Sequence, residues 1–129
     1  MKSRLIYWLT YAGMWLLALL PFKVLYILSD GLCFLMHHVV HYRRRVVRAN
    51  LCNAFPEKSA AELRDIEREF YRYICDYMLE EVKMLRMSFK ELCRRMEYDN
   101  KEEYLAMIEK HGGIVLLIPH YANFEWITG

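Results

Sequence analysis

The sequence predicts an α/β protein: an N-terminal membrane-anchoring helix, a helical scaffold, and the first strand-turn-helix of a sheet. Three observations lead there. Residues 5 to 22 contain no charged side chain. Residues 59 to 87 carry apolar side chains every three or four positions, the period of an amphipathic helix. Ile114 to Ile118 is an unbroken aliphatic run ahead of Pro119 and His120, the pattern of a strand covered on both faces.

The first element follows from length. Eighteen residues reach about 27 Å as a helix, against a hydrocarbon core of about 30 Å. Tyr7, Trp8, Tyr11 and Trp15 add the aromatic rings that favour a bilayer interface. Apolar character continues through Tyr42 with only Lys23 and Asp30 interrupting it, so residues 1–42 are read as a hydrophobic anchor and 43–129 as the start of a second domain. A cleaved signal peptide fits less well, because no small-x-small site follows the run. Lys2 and Arg4 lie on one flank, and Arg43, Arg44, Arg45 and Arg48 on the other. These flanks fit a single span, or a bent pair of short helices around Pro21 that enters and leaves on one side. A buried hairpin of a soluble protein is the third possibility. Residues 1–50 hold seven Lys/Arg and one Asp, and residues 51–129 eleven Lys/Arg and fifteen Asp/Glu, so the net +2 hides a basic half and an acidic half.

The middle of the chain reads as scaffold. Ser59-Ala-Ala-Glu62 is a capping box, and Leu63, Ile66, Phe70, Ile74, Met78, Val82 and Leu85 continue from it as one helical stripe. Arg64, Arg68 and Arg72 interleaved with Glu62, Asp65, Glu67 and Glu69 describe a solvated face, and no nucleic-acid partner is expected. Arg94 to Asp99 is expected as a short strand. Asn100-Lys-Glu-Glu103 is a second capping box, opening a helix that stops at Gly112. The nearest thing to a linker is Asn53 to Lys58, around Pro56.

Cys33, Cys52, Cys75 and Cys93 contain no Cys-x-x-Cys pair, which points to free thiols in a reducing compartment. Positions 37 and 41 share a helix face, but no Cys-x-x-Cys pair accompanies them. His37, His38 and His41 are therefore read as helix-surface histidines near lipid headgroups, and neither a metal nor a cofactor is expected.

The candidate chemistry lies in His120-Tyr-Ala-Asn-Phe-Glu125. Open α/β sheets place their sites at the carboxyl ends of strands. Asn123 is a suitable N-cap for a helix starting at Phe124. Across such a turn Glu125 can meet one ring nitrogen of His120, leaving the other to act as a general base. The spacing fits equally a loop histidine beside a glutamate favoured by the helix dipole.

These parts in this order resemble the lipid A late acyltransferases of Gram-negative bacteria, the lauroyl and myristoyl transferase family. The resemblance rests on the hydrophobic N-terminus, Arg48-Ala-Asn50-Leu51 leading into Phe55-Pro56-Glu57, the amphipathic helix, and Gly112-Gly113 before His120-Tyr-Ala-Asn123-Phe-Glu125-Trp126. It implies transfer of a fatty acyl group from acyl carrier protein or acyl-CoA to a hydroxyl of a lipid A precursor, at the cytoplasmic face of the bacterial inner membrane. His120 would be the general base and Glu125 its orienting acid. Asn123 would bind substrate, and Arg43, Arg44 and Arg45 would contact the membrane, the lipid or the carrier. Family members are longer, so residues 43–129 are expected to be the N-terminal portion of the catalytic domain, and this chain alone is expected to be inactive. A different lipid acceptor, such as a lysophospholipid or an ornithine-type lipid, and a non-enzymatic membrane-anchored role are the alternatives.

Overall fold

Residues 2–97 and 99–128 are described by a computed structural model, and the side chains of Lys2 and Thr128 are not. The chain forms two units, Met1–Leu85 and Arg86–Gly129.

In the first unit, the uncharged N-terminal run folds as α1 (Lys2–Leu19), which Pro21 separates from α2 (Phe22–Phe34). Proline has no N–H to donate and favours the first turn of a new helix, so the break falls there. Helix α2 continues into a π-helical stretch, Leu35–Val40. Next come α3 (Arg44–Ala54) and the 25-residue α4 (Ala60–Met84). The expected Ser59–Glu62 capping box is present in both directions.

Helix α4 runs antiparallel to α2 along its full length. The Tyr26 hydroxyl donates to Glu80 at 2.6 Å, Cys75 Sγ lies 3.7 Å from Met36 Sδ, and the Tyr71 hydroxyl donates to the Tyr42 carbonyl. At the α1–α2 turn, Lys83 Nζ donates to the carbonyls of Ala18 and Leu20, both at 2.8 Å, and sits over the Phe22 ring. One ammonium thus satisfies carbonyls that the end of α1 leaves without helical partners. The core lies where these elements meet, around Ala18, Leu25, Tyr71 and Cys75. Burial pushes the Cys75 thiol up to about 11.

The buried line on α4 is Glu67, Tyr71 and Cys75, while Phe70 and Met78 from the expected apolar stripe are exposed. The inner face is thus turned away from that stripe, because it meets the ends of α2 and α3 as well as the middle of α2.

The second unit contains α5 (Phe89–Arg95), capped by Ser88, and α6 (Lys101–His111), which ends at Gly112 with φ 75°. Asn100 sits at the start of α6 but makes no side-chain cap, so only the position of that second capping box is right. The expected strand over Arg94–Asp99 is absent from its described part: Arg94 and Arg95 end α5, held by Glu91, and Tyr98 lies outside the described residues.

The α/β expectation is also corrected. Every regular element among the described residues is helical, and Ile114–Ile118 joins no sheet. Exposure along it alternates: Val115 and Leu117 are 90 % exposed, and Ile114, Leu116 and Ile118 less so. That alternation belongs to an extended chain. A strand also needs a neighbour to complete its ladder, and no other described segment supplies one.

Candidate functional site

Two groups of residues carry chemistry, one in each unit. The first is an elbow between the π-helical stretch and α3. His41 and Arg43 both have positive φ, 53° and 49°, on either side of Tyr42. Side chains rarely adopt this conformation, and such strain persists where surrounding contacts enforce it. Here Tyr71 holds the Tyr42 carbonyl, and the Tyr42 N–H donates to Met36 at 3.0 Å.

Beneath the elbow lies Glu67, 2 % exposed. Its Oε1 accepts from Arg44 Nε at 2.9 Å and its Oε2 from Arg48 Nε at 2.7 Å, with His37 Nε2 3.5 Å from Oε1. Burial opposes ionisation of this carboxyl, but the hydrogen bonds and charges of Arg48 and Arg44 outweigh it and hold the pKa below the usual carboxylate range. Above the pair, His41, Arg43, Arg44, Arg45, Val46 and Arg48 line an open cavity of about 420 Å³.

Of the three arginines singled out by sequence, Arg43 and Arg45 point outward, whereas Arg44 is partly committed to Glu67. Arg48, read with them as part of the basic flank, and Glu67 complete the cluster, and Glu67 was missed as a site residue. Glu67 looked like one charge among many on a solvated face; the four-residue spacing Leu63, Glu67, Tyr71, Cys75 was the available signal. His37 is likewise corrected from surface histidine to buried partner of Glu67, and His41 leaves the helix altogether.

The second group is the His120 motif. After Pro119 the chain turns, with the Tyr121 N–H donating to the Pro119 carbonyl at 2.8 Å and Ala122 at φ 51°. A five-residue 3₁₀ helix, Phe124–Thr128, begins where the sequence places a helix start, and the Asn123 carbonyl accepts the Trp126 N–H at 3.0 Å. His120 is exposed and packs edge-on against Phe124, ring centroids 4.6 Å apart. Glu125 is half-buried. Trp126, next to Glu125, is buried and helps line a mainly apolar cavity of about 590 Å³, together with Phe89, Leu92, Cys93, Met96 and Ile127.

The chain thus carries a basic elbow on one helical unit and, in the other, a turn presenting a histidine with an acidic residue following. The family model of bacterial lipid A biosynthesis acyltransferases matches residues 1–128, and the chain belongs to that family. It is 28 % identical over 122 residues to the lipid A biosynthesis lauroyltransferase of Escherichia coli (strain K12), a match covering 92 % of this chain and 40 % of that relative. The chain thus spans well under half the length of the curated relative it matches. No solved structure matches it.

Proposed function

We propose that the protein transfers a fatty acyl group from acyl carrier protein or acyl-CoA to a hydroxyl of a lipid A precursor, working at the cytoplasmic face of the bacterial inner membrane. The observation that carries this reading is the family match over residues 1–128, which includes the whole His120–Glu125 motif.

Alcohols are weak nucleophiles at neutral pH, so the acceptor hydroxyl needs a base within hydrogen-bond reach as it attacks. His120 takes that proton while the oxygen bonds to the thioester carbonyl carbon. The carbon–sulfur bond then breaks, and the departing thiolate recovers the proton from the imidazolium. No covalent acyl-enzyme is required. Glu125 stabilises the imidazolium in the substrate complex, where catalytic hydrogen bonds are commonly tighter than in the free protein. Asn123 binds substrate beside the motif, and the apolar cavity by Trp126 suits a hydrocarbon chain.

Membrane attachment falls to the N-terminal helices. Leu5 to Leu16 of α1 are exposed on every side, an arrangement that suits lipid better than water. Arg43, Arg44 and Arg45 meet lipid phosphates or the acidic carrier.

The test is made in the complete protein. His120→Ala should lower acyl transfer to a tetra-acylated lipid A precursor by about 10²-fold or more, while the variant stays in the membrane fraction. Near-normal turnover would remove His120 from the mechanism.

A further inference from the structure

By length and composition, the helical stretch among the described residues that could cross a membrane is Phe22–Val40. Its packing argues otherwise. One side of α2, made of Phe22, Leu25, Tyr26, Ser29 and Cys33, is buried or half-buried, and this line continues into Met36 and His37. The opposite side, Val24, Ile27, Leu28, Gly31, Phe34 and Leu35, is exposed, with Ile27 at 70 %. At 100° per residue these are two stripes on opposite faces of one helix.

The inner stripe lies on α4, and α4 is charged. Glu80 accepts from Tyr26 near one end of α2, and Glu67 faces His37 beyond the other. Arg68, Glu69 and Arg72 lie between them on the exposed surface of α4. If α2 crossed a bilayer, these groups would be carried into hydrocarbon, where a charged side chain is costly. The outer stripe of α2, in contrast, is apolar and exposed, and past Leu35–Val40, His41 and Tyr42 the chain enters Arg43, Arg44 and Arg45.

We propose that α2 lies in the plane of an anionic bilayer surface, with its outer stripe in the headgroup–acyl boundary and its inner stripe on α4, and does not cross the membrane. The inference rests on the membrane reading of the proposed function and specifies which surface meets the lipid. The occupant is lipid because an apolar stripe ending in a basic elbow matches a surface that is apolar beneath and negatively charged above. The terminal amino groups of Arg44 and Arg48 can face those phosphates while their Nε–H groups hold Glu67.

The test is a depth measurement on the full chain reconstituted in vesicles of mixed phosphatidylglycerol and phosphatidylcholine. Cys33, Cys52 and Cys93 are replaced by Ser, and buried Cys75 is kept. A fluorophore is attached in turn at Val24→Cys, Ile27→Cys, Gly31→Cys and Phe34→Cys, and its depth is read with lipids quenching at shallow or deep acyl positions. A Cβ at Gly31 meets nothing within 4 Å, so the label has space there. Leu28→Cys replaces any position whose labelling makes Cys75 reactive, since that reactivity reports loss of α2–α4 packing.

All labelled positions should lie at one shallow depth, within about 3 Å, two residues' rise. A crossing helix would instead separate residues 24 and 34 by about 15 Å along the bilayer normal, and that gradient would overturn the proposal. Fluorophores that remain in water, or that are quenched only by a second labelled chain, would overturn it too. A label at Leu9→Cys on α1 separates the two readings. If Leu9 enters lipid while α2 shows a gradient or stays dry of lipid, only the in-plane reading fails; if the chain does not bind the vesicles at all, both fail.

Discussion

Removing the charge of Glu67 while keeping its shape tests how far one buried carboxylate holds the elbow together. In Glu67→Gln the single amide oxygen can accept from one arginine, and the new NH₂ group faces the other donor. The change therefore loses one charge-assisted hydrogen bond outright and weakens the second. Hydrogen bonds to charged groups contribute about 1.5–3 kcal/mol, but the side chains of Arg44 and Arg48 are 31 % and 48 % exposed and can rehydrate, so the lower end applies. The expected loss is about 2 kcal/mol. For a unit of this size that lowers Tm by about 10 °C, measured by far-UV circular dichroism in mild detergent. Glu69→Gln on the exposed side of α4 is the control and should stay within about 0.5 kcal/mol. The pH dependence follows from the same group. Its folded pKa lies below the ordinary 4.5, so its contribution is fully present above that value and disappears as pH falls through the folded pKa. Wild type should lose stability over that acid range and Glu67→Gln should lose less. If Glu67→Gln and Glu69→Gln melt alike, with the same acid profile, the Glu67 cluster does not hold the elbow.

Lys83→Met keeps the stem over Phe22 but removes the donors on Ala18 and Leu20; it should cost about 1.5–3 kcal/mol and increase proteolysis at the α1–α2 turn. A thiol reagent at pH 8 should modify exposed Cys52 and Cys93 rapidly and Cys75 only after denaturation, as mass mapping would show; equal rates would contradict the α2–α4 packing. In the proposed reaction, Glu125→Gln in the complete protein should lower turnover less than His120→Ala. An equal or greater loss would give Glu125 more than an orienting role.

What residues 1–129 disclose by themselves depends on how far each structural cause reaches along the chain. The Ser59–Glu62 box, the break at Pro21 and the stop at Gly112 were legible because a helix closes its hydrogen bonds within about four residues. The family was legible too, in the order of the hydrophobic N-terminus, the amphipathic helix and the segments around them. The tertiary structure decided the rest. Ile114–Ile118 reads as a strand, yet a strand exists only with a partner, and its described surroundings supply none. Glu67 is chemically like Glu69 two positions on, and Arg44 and Arg48, brought from another helix, make its burial tolerable. Hydropathy selects Phe22–Val40 as the apolar stretch, but charged groups of α4 reach it from Glu80 to Glu67, while Leu5 to Leu16 of α1 are exposed. Hydropathy sums a helix over its whole circumference, whereas packing covers one face and leaves the other to its surroundings.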